Sequence, residues 1–248
     1  MKHLQKWEPI SQNHYILVTP QHTFNTDTIL LAHFSAPKRK DICADFGSGC
    51  GLIAFFWKIR FEPKQIHAVE IQENAAEQIK ASLKRNGFSN IFLHHADLRK
   101  PQELFSSETF DLITCNPPYK AIGAGLQNQD ISHKTARHEE TLTLEELAKS
   151  VRYALKFGGR FCICQRPERL TDAMNIFHNC GLEPKRLRLV QQRLDSKPSL
   201  FLLECRKGGK SGLVIEPTLI IEDHNGFSSE MLAIYGDYKT HGKSSELT

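Results

Sequence analysis

The chain has 248 residues, 40% hydrophobic and 24% charged, with a formal net charge of +4; this suits a single α/β domain with a sizeable core. The charge permits a polyanionic partner but is too small to hold duplex nucleic acid by itself. The seven cysteines form no CxxC pair, and neither a signal-peptide stretch nor an apolar run of about 18 residues occurs, so a reducing cytoplasm is expected, with no disulfide framework, metal site or membrane span.

Tyr15 to Val18 is a short β-prone run, ended by Pro20. A helix is predicted over Thr28 to Phe34, capped by Asn25, Thr26 or Asp27. After a charged loop at Pro37 to Lys40, strands and helices alternate. Asp41 to Asp45 reads as a buried strand, and Leu52 to Arg60 as an apolar helix after a glycine-rich turn. Gln65 to Glu70 is a second strand. Glu73 to Asn86 is an amphipathic helix with Ala76, Ile79 and Leu83 on one face. Ile91 to His95 and Phe110 to Cys115 are two more strands. Lys120 to Glu140 is a long polar, glycine-containing loop. Thr143 and Glu146 form a capping box for a helix whose stripe is Leu144, Leu147, Ala148, Val151 and Leu155. Gly158 and Gly159 are expected to end it. A strand over Arg160 to Cys164 and a helix near Glu168 to Cys180 follow. Lys185 to Gln192 and Leu200 to Cys205 then pair as a hairpin.

Such alternation predicts a doubly wound, mostly parallel sheet with an antiparallel edge. Residues 37–207 form the expected core, with a lead-in at 1–36 and an extension at 208–248 packed on it, one domain in all. Ligands on such sheets bind beyond the carboxyl ends of the strands. The informative residues should therefore lie just after strands.

The first strand ends in Asp45-Phe-Gly47-Ser-Gly49-Cys-Gly51. Glycines at these spacings allow a sharp turn and close approach to a ligand. A dinucleotide fingerprint would place its third glycine one position later. The leading acid would repel a pyrophosphate but can hold an ammonium group. S-adenosylmethionine carries such an ammonium and no phosphate. Glu70 ends the second strand, where a carboxylate can accept both hydrogen bonds of a ribose diol. Asp97 follows the third strand, placed for the amino group of the cofactor's adenine. Ile71 and Leu98, beside these two acids, join them in the expected cofactor site.

Asn116-Pro117-Pro118-Tyr119 closes the fourth strand beside that loop. Proline stops a strand, but the residue types also suit one reaction. An adenine amino nitrogen is a poor nucleophile because its lone pair is delocalised into the ring. Two acceptors aimed at its hydrogens favour a pyramidal nitrogen. The Asn116 side-chain oxygen and the Pro117 carbonyl can supply them, and Pro118 stiffens the turn. Tyr119 offers a face on which a flipped base can stack. Asn116 would also border the cofactor. An amide nitrogen poses the same problem, so this tetrapeptide alone does not separate adenine from glutamine.

On these residues the chain resembles the class I Rossmann-like methyltransferases, whose fold is a seven-stranded sheet of this type. Asp45 to Gly51 matches their first motif, Glu70 their ribose acid, and Asn116 to Tyr119 the signature of the amino-methylating branch. Within that branch it resembles the bacterial tRNA1(Val) adenine-N6 methyltransferases over nearly the whole chain. The matching pieces are Phe24 to Ala32, Asn116 to Tyr119, Ala136 to Glu139, Gly158-Gly159, and Phe227-Ser-Ser-Glu230 with Tyr235. The resemblance implies methylation of the adenine next to the anticodon, with a tRNA partner, S-adenosylmethionine as cofactor, no metal and no obligate protein partner. Other readings are a glutamine methyltransferase, disfavoured because only about forty residues precede Asp45, an rRNA or DNA adenine methyltransferase, and a silent RNA-binding module. Arg137-His138 and a rim of Arg166, Arg169, Lys185, Arg186, Arg188 and Arg193 are candidate RNA contacts. The twelve histidines form no metal pattern, and His94 and His95 should point to opposite faces of their strand.

Overall fold

The computed structural model describes residues 5–117, 142–236 and 238. The alternation read from the sequence is present in chain order. The elements are β1 (Lys6–Pro9), β2 (Tyr15–Val18), α1 (Thr26–Ser35), β3 (Ile42–Phe46), α2 (Leu52–Arg60), β4 (Gln65–Glu70), α3 (Glu73–Asn86), β5 (Ile91–His95), β6 (Phe110–Cys115), α4 (Leu144–Ala154), β7 (Leu155–Gln165), α5 (Leu170–Asn179), β8 (Leu182–Gln191) and β9 (Pro198–Lys207), then the short strands β10 (Val214–Ile215), β11 (Leu219–Ile220), β12 (Glu222–Asp223) and β13 (Gly226–Phe227), and α6 (Ser229–Tyr235). The loop predicted at Lys120 to Glu140 lies outside the described residues.

The main sheet runs β10-β8-β9-β7-β6-β3-β4-β5, with β11 also pairing β8. Neighbours from β7 to β5 are parallel, and β9 is antiparallel to both β7 and β8. The expected antiparallel hairpin, β8 and β9, is present on one side of the sheet, with β9 inserted between β7 and β8. The seven expected strands are joined by β10 and β11 from the extension, which add in parallel to β8.

Period-2 alternation divides the strands between two cores. Leu200 and Leu202 of β9, with Cys162 and Cys164 of β7, face the core that holds Trp57 and helices α1 and α2. Phe201 and Leu203, with Phe161 and Ile163, face the core under α4 and α5. Both faces are covered, which is why these strands read as nearly continuous apolar runs. Trp57 is fully buried; its indole N–H donates to Ala32 O at 3.1 Å and Ser35 Oγ at 3.0 Å, tying α2 to α1.

The capping box of α4 is present: Thr143 accepts from the Glu146 backbone, and the Glu146 side chain accepts from the Thr143 N–H. The helix ends earlier than expected. Leu155 already belongs to β7, and Gly158-Gly159 lie within that strand. Phe110 pairs with Leu155 but Leu112 with Arg160, so β7 bulges between them. Gly158 takes φ +76°, and a Cβ on Gly159 would approach Lys156 O to 2.9 Å. The glycines therefore serve a bulge, a use that sequence alone does not separate from a helix stop.

The terminal segments converge on one helix. Asn25 caps α1 by accepting the Thr28 N–H at 3.1 Å. Thr26 Oγ1 lies 2.9 Å from the Tyr235 hydroxyl of α6, and Arg60 donates to Tyr235 O. Ser228 caps α6, and the Phe227 ring meets that of Tyr235 edge-on at 5.3 Å.

Candidate active site

The parallel strands deliver their carboxyl ends to one edge of the sheet. Asp45 lies opposite Thr114 of β6 and Ala68 of β4. Its carboxylate is 1% exposed. Thr114 Oγ1 donates to Asp45 Oδ1 at 2.8 Å, while Oδ2 has no hydrogen-bond partner among the described residues. Burial, only partly offset by the Thr114 hydrogen bond, pushes the Asp45 carboxyl up to about 7. A buried acceptor of this kind needs a donor from elsewhere.

The turn beyond it wraps open space. Gly47, Gly49 and Gly51 all take positive φ. Gly47 and Gly49 have nothing within 4 Å of where a Cβ would stand. Gly51 is different: a Cβ there would meet Phe55 at 2.9 Å and Ile79 at 3.0 Å. Gly51 thus lets α2 start close against α3, while the other two leave the loop face free. An orphaned acid beneath an open, side-chain-free loop fits a small ligand carrying an ammonium group.

Glu70, at the end of β4, is 4% exposed. Its Oε2 accepts from the Gly49 N–H at 2.7 Å and its Oε1 from the Gln72 N–H at 2.8 Å. The carboxylate is thus locked by two backbone donors, and each oxygen keeps a second lone pair for a diol. Ile71 beside it is 43% exposed, an apolar side chain offered to the surface. Ala96 N donates to Glu70 O, bringing the segment after β5 alongside. There Asp97 is gripped by Arg99: Nη2 to Oδ2 is 2.7 Å and Nε to Oδ2 is 2.9 Å. Hydrogen bonding from Arg99 holds the Asp97 carboxyl below its ordinary range. The sequence reading did not include Arg99. Leu98 is buried, and its carbonyl accepts from Ser150 Oγ at 2.7 Å.

Asn116 follows β6 directly and is held between two other elements. Its Nδ2 donates to Thr28 Oγ1 of α1 at 3.1 Å. The Cys164 thiol of β7 donates to its Oδ1 at 3.0 Å. Pro117 is buried. Pro118 and Tyr119 lie outside the described residues, as do Arg137 and His138. Asp45, Thr114 and Asn116 therefore stand on two adjoining strand ends, so the cofactor loop and the start of the tetrapeptide are neighbours. Thr28, Thr114 and Cys164 went unnoticed in the sequence. Thr114 could have been found by aligning parallel strand ends; nothing local marks the other two.

Each of the six cations of the candidate rim has a partner within the chain. Arg186 stacks over the Phe34 ring at 3.9 Å and pairs with Glu204 and Glu216. Arg188 pairs with Glu230 at 2.8 Å, and Lys185 donates to Lys210 O. Arg166 donates to Ser199 O, Arg169 pairs with Asp172, and Arg193 with Glu222. His94 Nε2 meets His67 Nδ1 at 2.9 Å, and His95 Nε2 lies 3.0 Å from Ile71 O. All seven cysteines are free thiols. Among the described residues no group of three or more His, Cys, Asp or Glu could hold a metal ion, and no helix is long and apolar enough to cross a membrane.

The model of the methyltransferase small domain family matches residues 25–180. A tRNA1(Val) (adenine(37)-N6)-methyltransferase of Porphyromonas gingivalis is 31% identical over 192 residues, covering 75% of this chain and 74% of the relative. One of the same name from Parabacteroides distasonis is 29% identical over 221 residues, covering 86% and 89%. The crystal structure of a predicted O-methyltransferase from Agrobacterium tumefaciens superposes with a TM-score of 0.69 at 20% identity, covering 86% of this chain and 97% of that one, a likeness of fold. With a buried acid under a glycine loop, an asparagine at the adjoining strand end and these relatives, the chain belongs to the methyltransferase small domain family and, within it, to the tRNA1(Val) (adenine(37)-N6)-methyltransferases.

Proposed function

We propose that this enzyme moves a methyl group from S-adenosylmethionine to N6 of the adenine next to the anticodon of a valine tRNA. The observation that carries the reading is the juxtaposition of the orphaned Asp45 Oδ2 with Asn116, joined through Thr114 at adjoining strand ends. It sets an ammonium-binding acid beside an amide acceptor, which suits a donor and an exocyclic amine meeting at one edge. The names of the relatives supply the tRNA and the nucleotide.

In this reading Asp45 binds the amino-acid ammonium. Gly47, Gly49 and Gly51 leave room for the chain that carries it. Glu70 accepts from the ribose hydroxyls, Ile71 and Leu98 border the adenine, and Asp97 accepts from its amino group. The donor, when bound, supplies an electrophilic methyl on a sulfonium. Asn116 Oδ1 and the Pro117 carbonyl accept the two hydrogens of the target amine, which localises its lone pair toward that methyl. The nitrogen would gain the methyl carbon as the donor's carbon–sulfur bond breaks, leaving a neutral thioether, and would release one proton to solvent. Pro118 and Tyr119 are expected to complete the turn and the stacking face. One compact domain, residues 37–207, carries the chemistry, with α6 of the extension bracing α1.

The test is transfer of labelled methyl to total tRNA, total rRNA and protein, followed by nucleoside analysis. Label in N6-methyladenosine of tRNA is the expected result. Label confined to protein glutamine, which Asn116 would serve equally well, would overturn the substrate while leaving the fold and donor untouched.

A further inference from the structure

The amide of Asn116 works only one way round. If its nitrogen faced the target amine, it would present hydrogens to hydrogens and no acceptor. A primary amide has two orientations of similar shape, so something must choose between them. The choice can be traced to a group with no freedom. The Thr28 backbone N–H is a donor and nothing else. It points at the Asn25 side chain at 3.1 Å, so the Asn25 atom facing it must be the oxygen Oδ1. The Thr28 hydroxyl lies 3.0 Å from that same oxygen and can only donate its single proton there. With its proton committed, Thr28 Oγ1 can only accept from Asn116, 3.1 Å away. The Asn116 nitrogen must therefore face Thr28, and its oxygen must face the other way. On that side the Cys164 thiol lies 3.0 Å from Oδ1. A thiol is a donor, weak but of the right sign for an amide oxygen.

We propose that Thr28, its proton directed by Asn25, is a positioning residue that fixes the orientation of the Asn116 amide and so aims Oδ1 at the amine to be methylated. The helix cap of α1 thereby sets the polarity of a side chain 88 positions away in sequence. Local sequence does not reveal this, because Asn25-x-x-Thr28 reads as an ordinary N-cap. The inference rests on the reading of Asn116 as an acceptor in the transition state.

The test uses the full chain, labelled S-adenosylmethionine and an unmodified valine tRNA transcript. Thr28→Val keeps the shape and the cap but removes the hydroxyl. It should lower kcat about tenfold, the size expected when a polar group loses its partner. KM for tRNA and cofactor affinity should stay within about twofold, since neither ligand is assigned to Thr28. Thr28→Ser restores the hydroxyl and should restore kcat. Asn25→Asp keeps an acceptor at the cap and should stay near the parent rate. Asn25→Ala frees the Thr28 proton to point at Asn116 and should lower kcat with a normal KM. The side-chain amide signal of Asn116 in a 15N spectrum should shift in Thr28→Val and return in Thr28→Ser. Thermal unfolding of each variant identifies loss of fold. If Thr28→Val misfolds, the Asn25→Asp and Asn25→Ala pair decides by itself. Equal kcat for Thr28→Val and Thr28→Ser, while Asn116→Ala is inactive, overturns the relay and leaves the acceptor reading standing. Normal turnover by Asn116→Ala overturns both.

Discussion

Two regions of this protein bury charged groups, and they treat them in opposite ways. Near the carboxyl end of α1, Glu204 of β9 is 7% exposed and lies between two guanidinium groups, 3.3 Å from Arg160 and 2.9 Å from Arg186. Those arginines also donate to Ser35 O and Phe34 O, and Arg160 lies 3.7 Å from Asp41. At the carboxyl ends of the strands, Asp45 is buried more deeply, with one oxygen unpartnered among the described residues. A closed ionic cluster holds elements together; an open one is ready to receive a cation. Asp45 differs from Glu204 in its unfinished hydrogen bonding, not in its burial.

Four experiments bear on that contrast. The largest effect is expected in the closed cluster. Glu204→Ala would remove the carboxylate that two partly buried arginines share, leaving them Asp41 and Glu216, and should cost about 3 kcal/mol of stability. Denaturant unfolding should show that loss, while turnover per folded molecule stays unchanged. A large fall in turnover without loss of stability would move Glu204 to the active side of the contrast. Next, Asn116→Ala should lower single-turnover methylation about 10²–10³-fold, the size seen when one preorganised polar group is removed. Its unfolding midpoint should barely move.

A smaller effect is expected from Glu70→Ala. Losing a charged acceptor of the ribose should weaken cofactor binding by about 1–3 kcal/mol, measured by calorimetry. Because Glu70 also holds the Gly49 N–H, the loop should loosen, and amide exchange at Gly49 should speed up. Unchanged affinity would remove Glu70 from the cofactor site.

The smallest effect concerns protons. The Asp45 carboxyl is pushed up to about 7 from an ordinary 3.8, chiefly by burial. The folded protein therefore holds a proton that the unfolded chain has lost between those two pH values. This group makes stability fall as pH rises from about 4 to about 7, and its cost is complete above that. Asp45→Asn should remove this slope and, above pH 7, make the ligand-free protein more stable. An ammonium beside the carboxylate favours its charged form. Cofactor binding near pH 6 should accordingly release up to one proton, detected by calorimetry in buffers of different ionisation enthalpy. Binding without proton release would mean that Asp45 meets no cation.

Much of this was legible in the chain. β4, α3, β5 and β6 were read with the bounds they have, because period and punctuation there are local. Asp45, Glu70 and Asp97 were found because the rule linking strand ends to ligands needs only the order of elements. Gly158-Gly159 read as a helix stop, yet they serve a bulge that exists only because β7 must keep register with β6. The intramolecular partners of the six cations, such as Phe34 and Glu204 for Arg186, come from distant segments and are equally invisible in local sequence.

The alternating fold, the reaction type and the acids at the strand ends are legible in the sequence, since each depends on residue type at a local spacing. Only the tertiary structure decided which polar atoms are satisfied. It placed β9 between β7 and β8, closed the cluster around Glu204, left Asp45 Oδ2 open, and set Thr28 and Cys164 on either side of the Asn116 amide. Hydrogen-bond satisfaction is a property of atoms meeting across strands and helices far apart in the chain. No local pattern can record it.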